Sequence, residues 1–151
     1  MSFESIVLGS MTPRKAKEML GHKRLIERLT KSRVSNVFMG KGFIRFNYDG
    51  QTHAFKVQIK PYVRWVGTWD NRTLYLDDDI RFKKDQLCTS IHEAIESYVA
   101  RKYGLDRDYT AHYVATVVEK TYAKSINLNW FDYMMRTELI YRKVGNERRK
   151  K

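Results

Sequence analysis

The side chains best suited to chemistry lie in residues 90–104, SIHEAIESYVARKYG, where His92, Glu93 and Glu96 occur close together. On an α-helix, side chains four residues apart share a face, so His92 and Glu96 would present an imidazole and a carboxylate side by side. Both groups are zinc ligands. Glu93 points about 100° away from His92, and it would act as the general base for a water bound to the metal.

A hydrolytic zinc site needs a third protein ligand and one open position. A second helix is predicted over about residues 109–124, and it carries His112 and, two turns later, Glu119. The short connection GLDRD predicts that the two helices are antiparallel neighbours. The candidate metal ligands are therefore His92, Glu96 and His112, and Glu119 is either the third ligand or a partner that orients one of them.

The first half of the chain changes from a helical to an alternating pattern. Thr12 is a good N-cap and Pro13 suits the first helical position, so a helix begins there, with Gly21 as a candidate break. From about residue 42 apolar and polar residues alternate, which predicts a strand. Asp49-Gly50 predicts a hairpin turn, and a return strand follows.

Two further strands and three helices complete the predicted order. Residues 63–66 suggest a third strand, and TLYL at 73–76 reads as a short fourth strand. The helices are predicted from about residue 85 to 103, from 109 to 124 and from about 129 onward. Gly104 is the expected C-cap of the first of these.

This order predicts an α+β fold: an N-terminal helix, a small twisted, mostly antiparallel sheet of about four strands, then three helices. The 151 residues suit a single domain, residues 1–151, which ends in a basic tail at about residues 145–151.

The layout resembles a minimal zincin of the gluzincin type. That family has a small twisted sheet whose edge strand aligns the substrate, then an H-E-x-x-H helix, then a helix that supplies a glutamate ligand. The similarity covers roughly residues 42–124 by element order, but only His92-Glu93 by letter. Glu96 stands where the family has its second histidine, and His112 lies where the family has its glutamate.

This resemblance implies a zinc-dependent peptidase, or a relative that has lost activity and keeps the metal. Glu93 would be the catalytic base, and zinc would be held by His92, Glu96 and His112. A peptide substrate would lie along strand 73–76, the expected edge strand.

The composition supports an alternative function. The net charge is +12, and basic residues are dense at both ends of the chain. Such a balance is typical of a solvated surface rich in lysine and arginine, and it also favours polyanions. On the second interpretation, the alternative function is a nucleic-acid-binding protein of a mobile genetic element. The residues expected to contact phosphate are Arg14, Lys15, Lys17, Lys23, Arg24 and Arg28 near the start, and Arg148, Arg149, Lys150 and Lys151 at the end.

Other features narrow the class of protein. No segment approaches the roughly 20 apolar residues of a transmembrane helix, and the N-terminus lacks the pattern of a signal peptide. The single cysteine, Cys88, fits a reducing environment, so a cytoplasmic protein is expected. No glycine-rich phosphate-binding motif is present, which leaves a nucleotide-cofactor enzyme without support.

Overall fold

A computed structural model describes residues 12–150, with side chains for residues 12–146. Within them lie five helices and five strands. In chain order these are α1 (Pro13–Gly21), α2 (Lys23–Lys31), β1 (Ser35–Gly40), β2 (Phe43–Tyr48), β3 (Gln51–Lys60), β4 (Gly67–Asp70), β5 (Thr73–Asp77), α3 (Lys83–Tyr103), α4 (Thr110–Ser125) and α5 (Trp130–Lys150). The predicted α+β class is confirmed.

The strands form one mixed sheet in the order β1-β2-β3-β5-β4. All neighbouring pairs are antiparallel except β3 and β5, which run parallel. The chain leaves β3, forms β4 at the edge, turns back at Asn71 and inserts β5 between them. Among the described residues, β1 and β4 are therefore the two edge strands of the sheet.

Three strand predictions are corrected by this topology. The sheet has five strands rather than four, because β1 lacks the regular alternation that signals a strand and its register is irregular between Ser35 and Phe38. The strand expected at 63–66 lies at 67–70 instead. Strand 73–76 is not an edge strand, since β5 pairs with β3 on one side and with β4 on the other.

The segment between β3 and β4 has an unusual backbone. Tyr62, Trp65 and Val66 adopt positive φ angles of 58°, 62° and 72°. Residues other than glycine rarely adopt positive φ angles, and a β-branched residue such as Val66 is strained there. These positive φ angles turn the chain sharply between β3 and β4. The apolar residues at 63–66 therefore form a turn and not a strand.

The helix predictions hold, with one refinement. Thr12 caps α1, with its hydroxyl accepting a hydrogen bond from the N–H of Lys15, and the break at Gly21 separates α1 from α2. Gly104 ends α3 in the left-handed conformation, with φ 67°. The region predicted as a basic tail is helical as far as Lys150. Within the described residues, no helix is long and apolar enough to cross a membrane.

The sheet buries one face against the helices and leaves the other open. On β2, Ile44, Phe46 and Tyr48 are buried, whereas Phe43 and Arg45, which alternate with them, are exposed. This alternation follows from the two-residue repeat of a strand. Helix α3 packs on β4 and β5 from the buried side, and α4 packs along α3.

The β2–β3 hairpin turn is tied to the helices through one carboxylate. Asp49 and Gly50 both have positive φ, as a tight hairpin turn requires. Asp49 accepts hydrogen bonds from Tyr98 at 2.6 Å and Tyr103 at 2.5 Å, and it is also bound to Arg28. Burial acts to raise the pKa of Asp49, but these three donors lower it below its ordinary value.

We expect Asp49→Asn to lower the free energy of unfolding by about 1–3 kcal/mol at pH 7, because charged hydrogen bonds are lost while the turn is kept. Since folding lowers the pKa of Asp49, its contribution is complete above the unfolded pKa of about 3.9 and is lost as the pH falls through the folded value. Urea unfolding of both proteins at pH 7 and pH 3 measures this.

Asp78→Asn is the matched control, because Asp78 is exposed, and its change should stay within about 0.5 kcal/mol. Equal unfolding free energies for wild type and Asp49→Asn at pH 7 would contradict the proposed role of the turn carboxylate.

Candidate metal centre

Helix α3 carries polar residues into the interior. Most of its central residues are buried, including Ser90, Glu93, Glu96 and Ser97, because the helix lies between the sheet and α4. Buried polar groups need partners, and neighbouring elements supply them for Ser97 and Glu96. The candidate site lies on the part of α3 that faces α4 and β4.

Two imidazoles and a carboxylate meet there. His92 Nε2 lies 3.1 Å from Glu96 Oε2 and 3.2 Å from His112 Nδ1, and His112 Nδ1 lies 3.1 Å from the same Glu96 oxygen. A tetrahedral zinc ion with bonds of about 2.0–2.1 Å separates its ligand atoms by about 3.3–3.4 Å. The near-equilateral triangle therefore fits three ligands of one ion after small movements.

The triangle opens toward solvent on one side. The side chains of His92 and Glu96 are 12% and 9% exposed, whereas that of His112 is 56% exposed. A hydrolytic metal site keeps a coordination position open for water or substrate. The exposed His112 side chain leaves one side of the triangle open to solvent, as this requirement demands.

Glu119 lies behind His92. The Nδ1 atom of His92 is 2.9 Å from Glu119 Oε1, and the Tyr133 hydroxyl donates to Glu119 Oε2 at 2.5 Å. Thr89 contacts the same hydroxyl at 2.9 Å. A carboxylate that accepts a hydrogen bond from one ring nitrogen orients the other toward a metal, so Glu119 has the geometry of the orienting partner rather than of the third ligand.

The charged groups shift one another's proton affinities. Burial acts to lower the pKa of His92, but the charge and hydrogen bond of Glu119 raise it well above its ordinary value, with help from Glu96. Burial acts to raise the pKa of Glu96, but hydrogen bonds from His112, His92 and Trp69 lower it to about 2. The cluster therefore stabilises positive charge among its carboxylates.

Glu93 is buried beside this cluster. Burial, joined by the negative charges of Glu96 and Glu119, raises the pKa of its carboxyl group to about 8, although the charge of His92 opposes this. No hydrogen bond to its side chain occurs within residues 12–146. A buried carboxyl group with a raised pKa and no fixed partner is suited to accept and release protons.

The edge strand β4 touches the site at two points. A Cβ atom at Gly67 would lie 3.2 Å from Glu93 Oε1 and 2.9 Å from Thr89 Cγ2, so only glycine allows this approach. Trp69 donates its indole N–H to Glu96 Oε1 at 3.0 Å. Arg107 lies over the Trp69 ring, 3.9 Å from its centroid, and donates to the Trp69 carbonyl at 2.9 Å.

Comparison with protein-family models, curated proteins and solved structures finds no match to this chain.

The resemblance to gluzincins therefore rests on the residues and their order. The four residues expected at the metal site, with Glu93, come together from α3 and α4. The helical pattern and the short connection were enough to predict this, because helix–helix neighbours in sequence pack locally. Trp69, Arg107, Tyr133 and Gly67 were missed, since each reaches the site from a distant segment and carries no local motif.

The residues of the expected phosphate-binding surface have mixed surroundings. Lys15 pairs with Asp106 at 3.8 Å and lies over the Tyr109 ring, and Arg28 is bound to Asp49. Arg14, Lys17 and Arg24 are exposed on α1 and α2. The side chains of residues 148–151 lie outside the described part of the chain.

A second acidic group, Asp77, Asp78 and Asp79, also has oxygens close enough to share a cation. Asp77 already accepts from the N–H groups of Val63 and Asp79, and Asp79 pairs with Lys143. These internal partners explain the cluster as a stabilised turn at the end of β5.

Gly67→Ala should lower the free energy of unfolding by about 1–3 kcal/mol, because the added methyl group overlaps Thr89 and presses on Glu93. Thermal and urea unfolding of the purified variant measure the loss.

Gly21→Ala is the matched control, since a Cβ atom there meets nothing within 4 Å, and it should be neutral or stabilising by up to about 1 kcal/mol. If both variants were equally stable, the close contact between β4 and α3 would be contradicted.

Proposed function

We propose that this protein binds one zinc ion through His92, Glu96 and His112 and hydrolyses peptide bonds in the manner of a zincin. The observation that carries the proposal is the triangle of ligand atoms, with sides of 3.1, 3.1 and 3.2 Å. Two imidazoles and one carboxylate form a ligand set found in hydrolytic zinc enzymes. Relative to the gluzincins, the second histidine and the glutamate have exchanged positions.

Each protein group has a defined task in this proposal. Zinc, when bound, supplies Lewis acidity that activates water and polarises the substrate carbonyl. Glu93 takes the proton from the attacking water and delivers it to the leaving amine, and the burial that raises the pKa of its carboxyl group makes the carboxylate a stronger base. Glu119, held by Tyr133, keeps the Nε2 atom of His92 directed at the ligand triangle.

The edge strand β4 is the proposed peptide-binding element, in place of strand 73–76. The N–H of Asp77 donates to the carbonyl of Val66, so by alternation the backbone groups of Gly67 and Trp69 point away from β5. The Trp69 carbonyl already accepts a hydrogen bond from Arg107. An extended peptide pairing with this edge would use Gly67, beside Glu93.

Protein purified without a histidine tag should contain about one zinc ion per chain, and His92→Ala should contain none, because a site reduced to two ligands does not retain the ion. Inductively coupled plasma mass spectrometry measures both, after incubation with zinc and gel filtration.

His22→Ala is the control for loss of a histidine, since His22 lies between α1 and α2, and it should retain the ion. Glu119→Gln should retain zinc with an affinity lowered by about 10–100-fold. Wild-type protein that stays free of zinc after incubation would refute the proposal at its first step.

Glu93→Gln should keep the zinc and lose hydrolysis by about 10²–10⁴-fold, because the base is removed while the three ligands remain. Fluorescein-labelled casein and a library of fluorogenic peptides would serve as substrates.

Glu138→Gln is the matched control, since this glutamate lies on the exposed side of α5. A zinc-loaded wild-type protein that cleaves none of these substrates would instead assign the ion a structural role, as in a relative without activity. Equal cleavage by wild type and Glu93→Gln would contradict the role of Glu93.

A further inference from the structure

The open face of the sheet combines aromatic rings and positive charge. It lies opposite α3 and the candidate metal centre. Its exposed or half-buried residues on β1, β2, β3 and β5 include Phe38, Phe43, Arg45, Lys56 and Tyr75. Strands β1, β2 and β3 contain no acidic residue. We call these five residues the open face.

The charge of this region is one-sided over a long stretch. Between residues 28 and 69 the sequence contains eight lysines and arginines and a single acid, Asp49. Asp49 is 5% exposed and bound to Arg28, so it does not neutralise the surface. On the strands of this face the only exposed acid is Asp70, at the end of the outermost strand β4. The potential over the open face is therefore positive, which favours a polyanion.

The aromatic rings are exposed and held in place. Phe38 is 51% exposed and Phe43 is 39% exposed, and their ring centroids lie 5.6 Å apart. The Phe43 ring covers Gly40, where a Cβ atom would lie only 2.5 Å from it. Arg45 lies 5.9 Å from the Phe38 ring centroid. Exposed rings fixed on a sheet form a platform on which unstacked bases can lie.

Tyr75 repeats this pairing farther along the same face. Lys60 lies over its ring at 4.3 Å from the centroid. The parallel register sets Tyr75 beside Gln58 on β3, two residues beyond Lys56. Ring and cation thus occur together at both ends of the face, as stacking and phosphate contacts along one strand of nucleic acid require.

A cationic cleft adjoins the first half of β3, where β5 does not pair with it. It has a volume of about 420 Å³, and Thr52, Ala54, Arg72, Arg101 and Lys102 help to line it. In the described part of the chain, no carboxylate lies within ion-pair distance of these three cations. Burial and the charge of Arg72 lower the pKa of Arg101, so the cations repel one another and an anion would relieve that repulsion.

The backbone adds a donor to this cleft. The N–H of Lys56 donates to the carbonyl of Arg72, so by alternation the N–H of Ala54 points toward the same edge. No β5 residue pairs with Ala54. The side chain of Ala54 lies on the same side of the sheet as the open face, because Ala54 pairs with Arg45. The cleft and the open face are therefore continuous.

We propose that the open face and its adjoining cleft bind single-stranded nucleic acid, with bases stacked on Phe38, Phe43 and Tyr75 and phosphates held by Arg45, Lys56 and the cleft. A single strand is favoured over a duplex because the rings offer flat surfaces to unpaired bases and, among residues 12–150, no helix projects from this face to enter a groove. This surface is a separate candidate from the basic residues near the two ends of the chain, and it does not depend on the metal centre.

The test is fluorescence anisotropy with fluorescein-labelled 20-nucleotide oligouridylate and oligothymidylate at 50–300 mM salt. Arg45→Ala/Lys56→Ala should weaken binding at least about tenfold and reduce the slope of log K against log salt by about 1.4, because two phosphate contacts are lost. Lys83→Ala/Lys84→Ala removes the same charge from the exposed start of α3 and should change affinity less than about threefold and leave the slope nearly unchanged.

Phe38→Ser/Phe43→Ser tests stacking, and it should weaken binding at least about fivefold with an unchanged salt slope. Phe131→Ser, at a more exposed phenylalanine on α5, is its control. Circular dichroism melting confirms that every variant is folded.

Several results would overturn the proposal. These are no binding at 50 mM salt, equal losses in the two charge variants, no effect of the phenylalanine changes, or equal affinity for a 20-base-pair duplex. Displacement of the oligonucleotides by an equal charge concentration of polyglutamate would assign the face to acidic protein instead.

Discussion

Burial of three carboxylates around two imidazoles is the constraint on which the rest of the molecule depends. Glu93, Glu96 and Glu119 are each less than one-tenth exposed, and removing such groups from water is costly unless they are paired or bind a metal. The surrounding elements supply hydrogen-bond partners for Glu96 and Glu119, whereas the Glu93 side chain has none within residues 12–146. Helix α4 contributes an imidazole, β4 an indole N–H, and α5 a phenol hydroxyl.

This constraint explains why α3 differs from an ordinary surface helix. Its polar residues do not form a solvent-facing stripe, since Ser97 donates to the carbonyl of Asn71 and Glu96 accepts from Trp69. The helix can therefore lie between the sheet and α4 with polar groups on both sides. A divalent cation would add positive charge among these buried carboxylates, so the electrostatics and the ligand geometry favour the same occupant.

How far the sequence predicts the structure depends on the range of each interaction. The turn at Asp49-Gly50, the cap at Thr12 and the stop at Gly104 were predicted because each follows from local backbone chemistry. The pairing of α3 with α4 was predicted because their connection is short. The position of β5 inside the sheet was not, since nothing in TLYL distinguishes a strand paired on one side from a strand paired on both.

The same limit applies to the surfaces. The basic residues of α1 and α2 stand out in the sequence because they are adjacent. Those of the open face are spaced through β2 and β3 and become a surface only when the strands align. Arg45 and Lys56 are eleven positions apart, yet they lie on neighbouring strands of one face. A search for dense runs of basic residues misses this surface. The two-residue repeat of each strand is needed to see that these basic residues share one face.

The insertion of β5 between β3 and β4 also orders the steps of folding. The β4–β5 hairpin can form locally, but it joins the sheet only through the parallel pairing of β5 with β3, which closes the strained segment 61–66. Contacts between distant segments form late because chain entropy opposes them. Trp69 therefore reaches Glu96 only once this hairpin has joined the sheet, so the hydrogen bond that β4 gives to the candidate metal centre is lost whenever the edge hairpin opens locally.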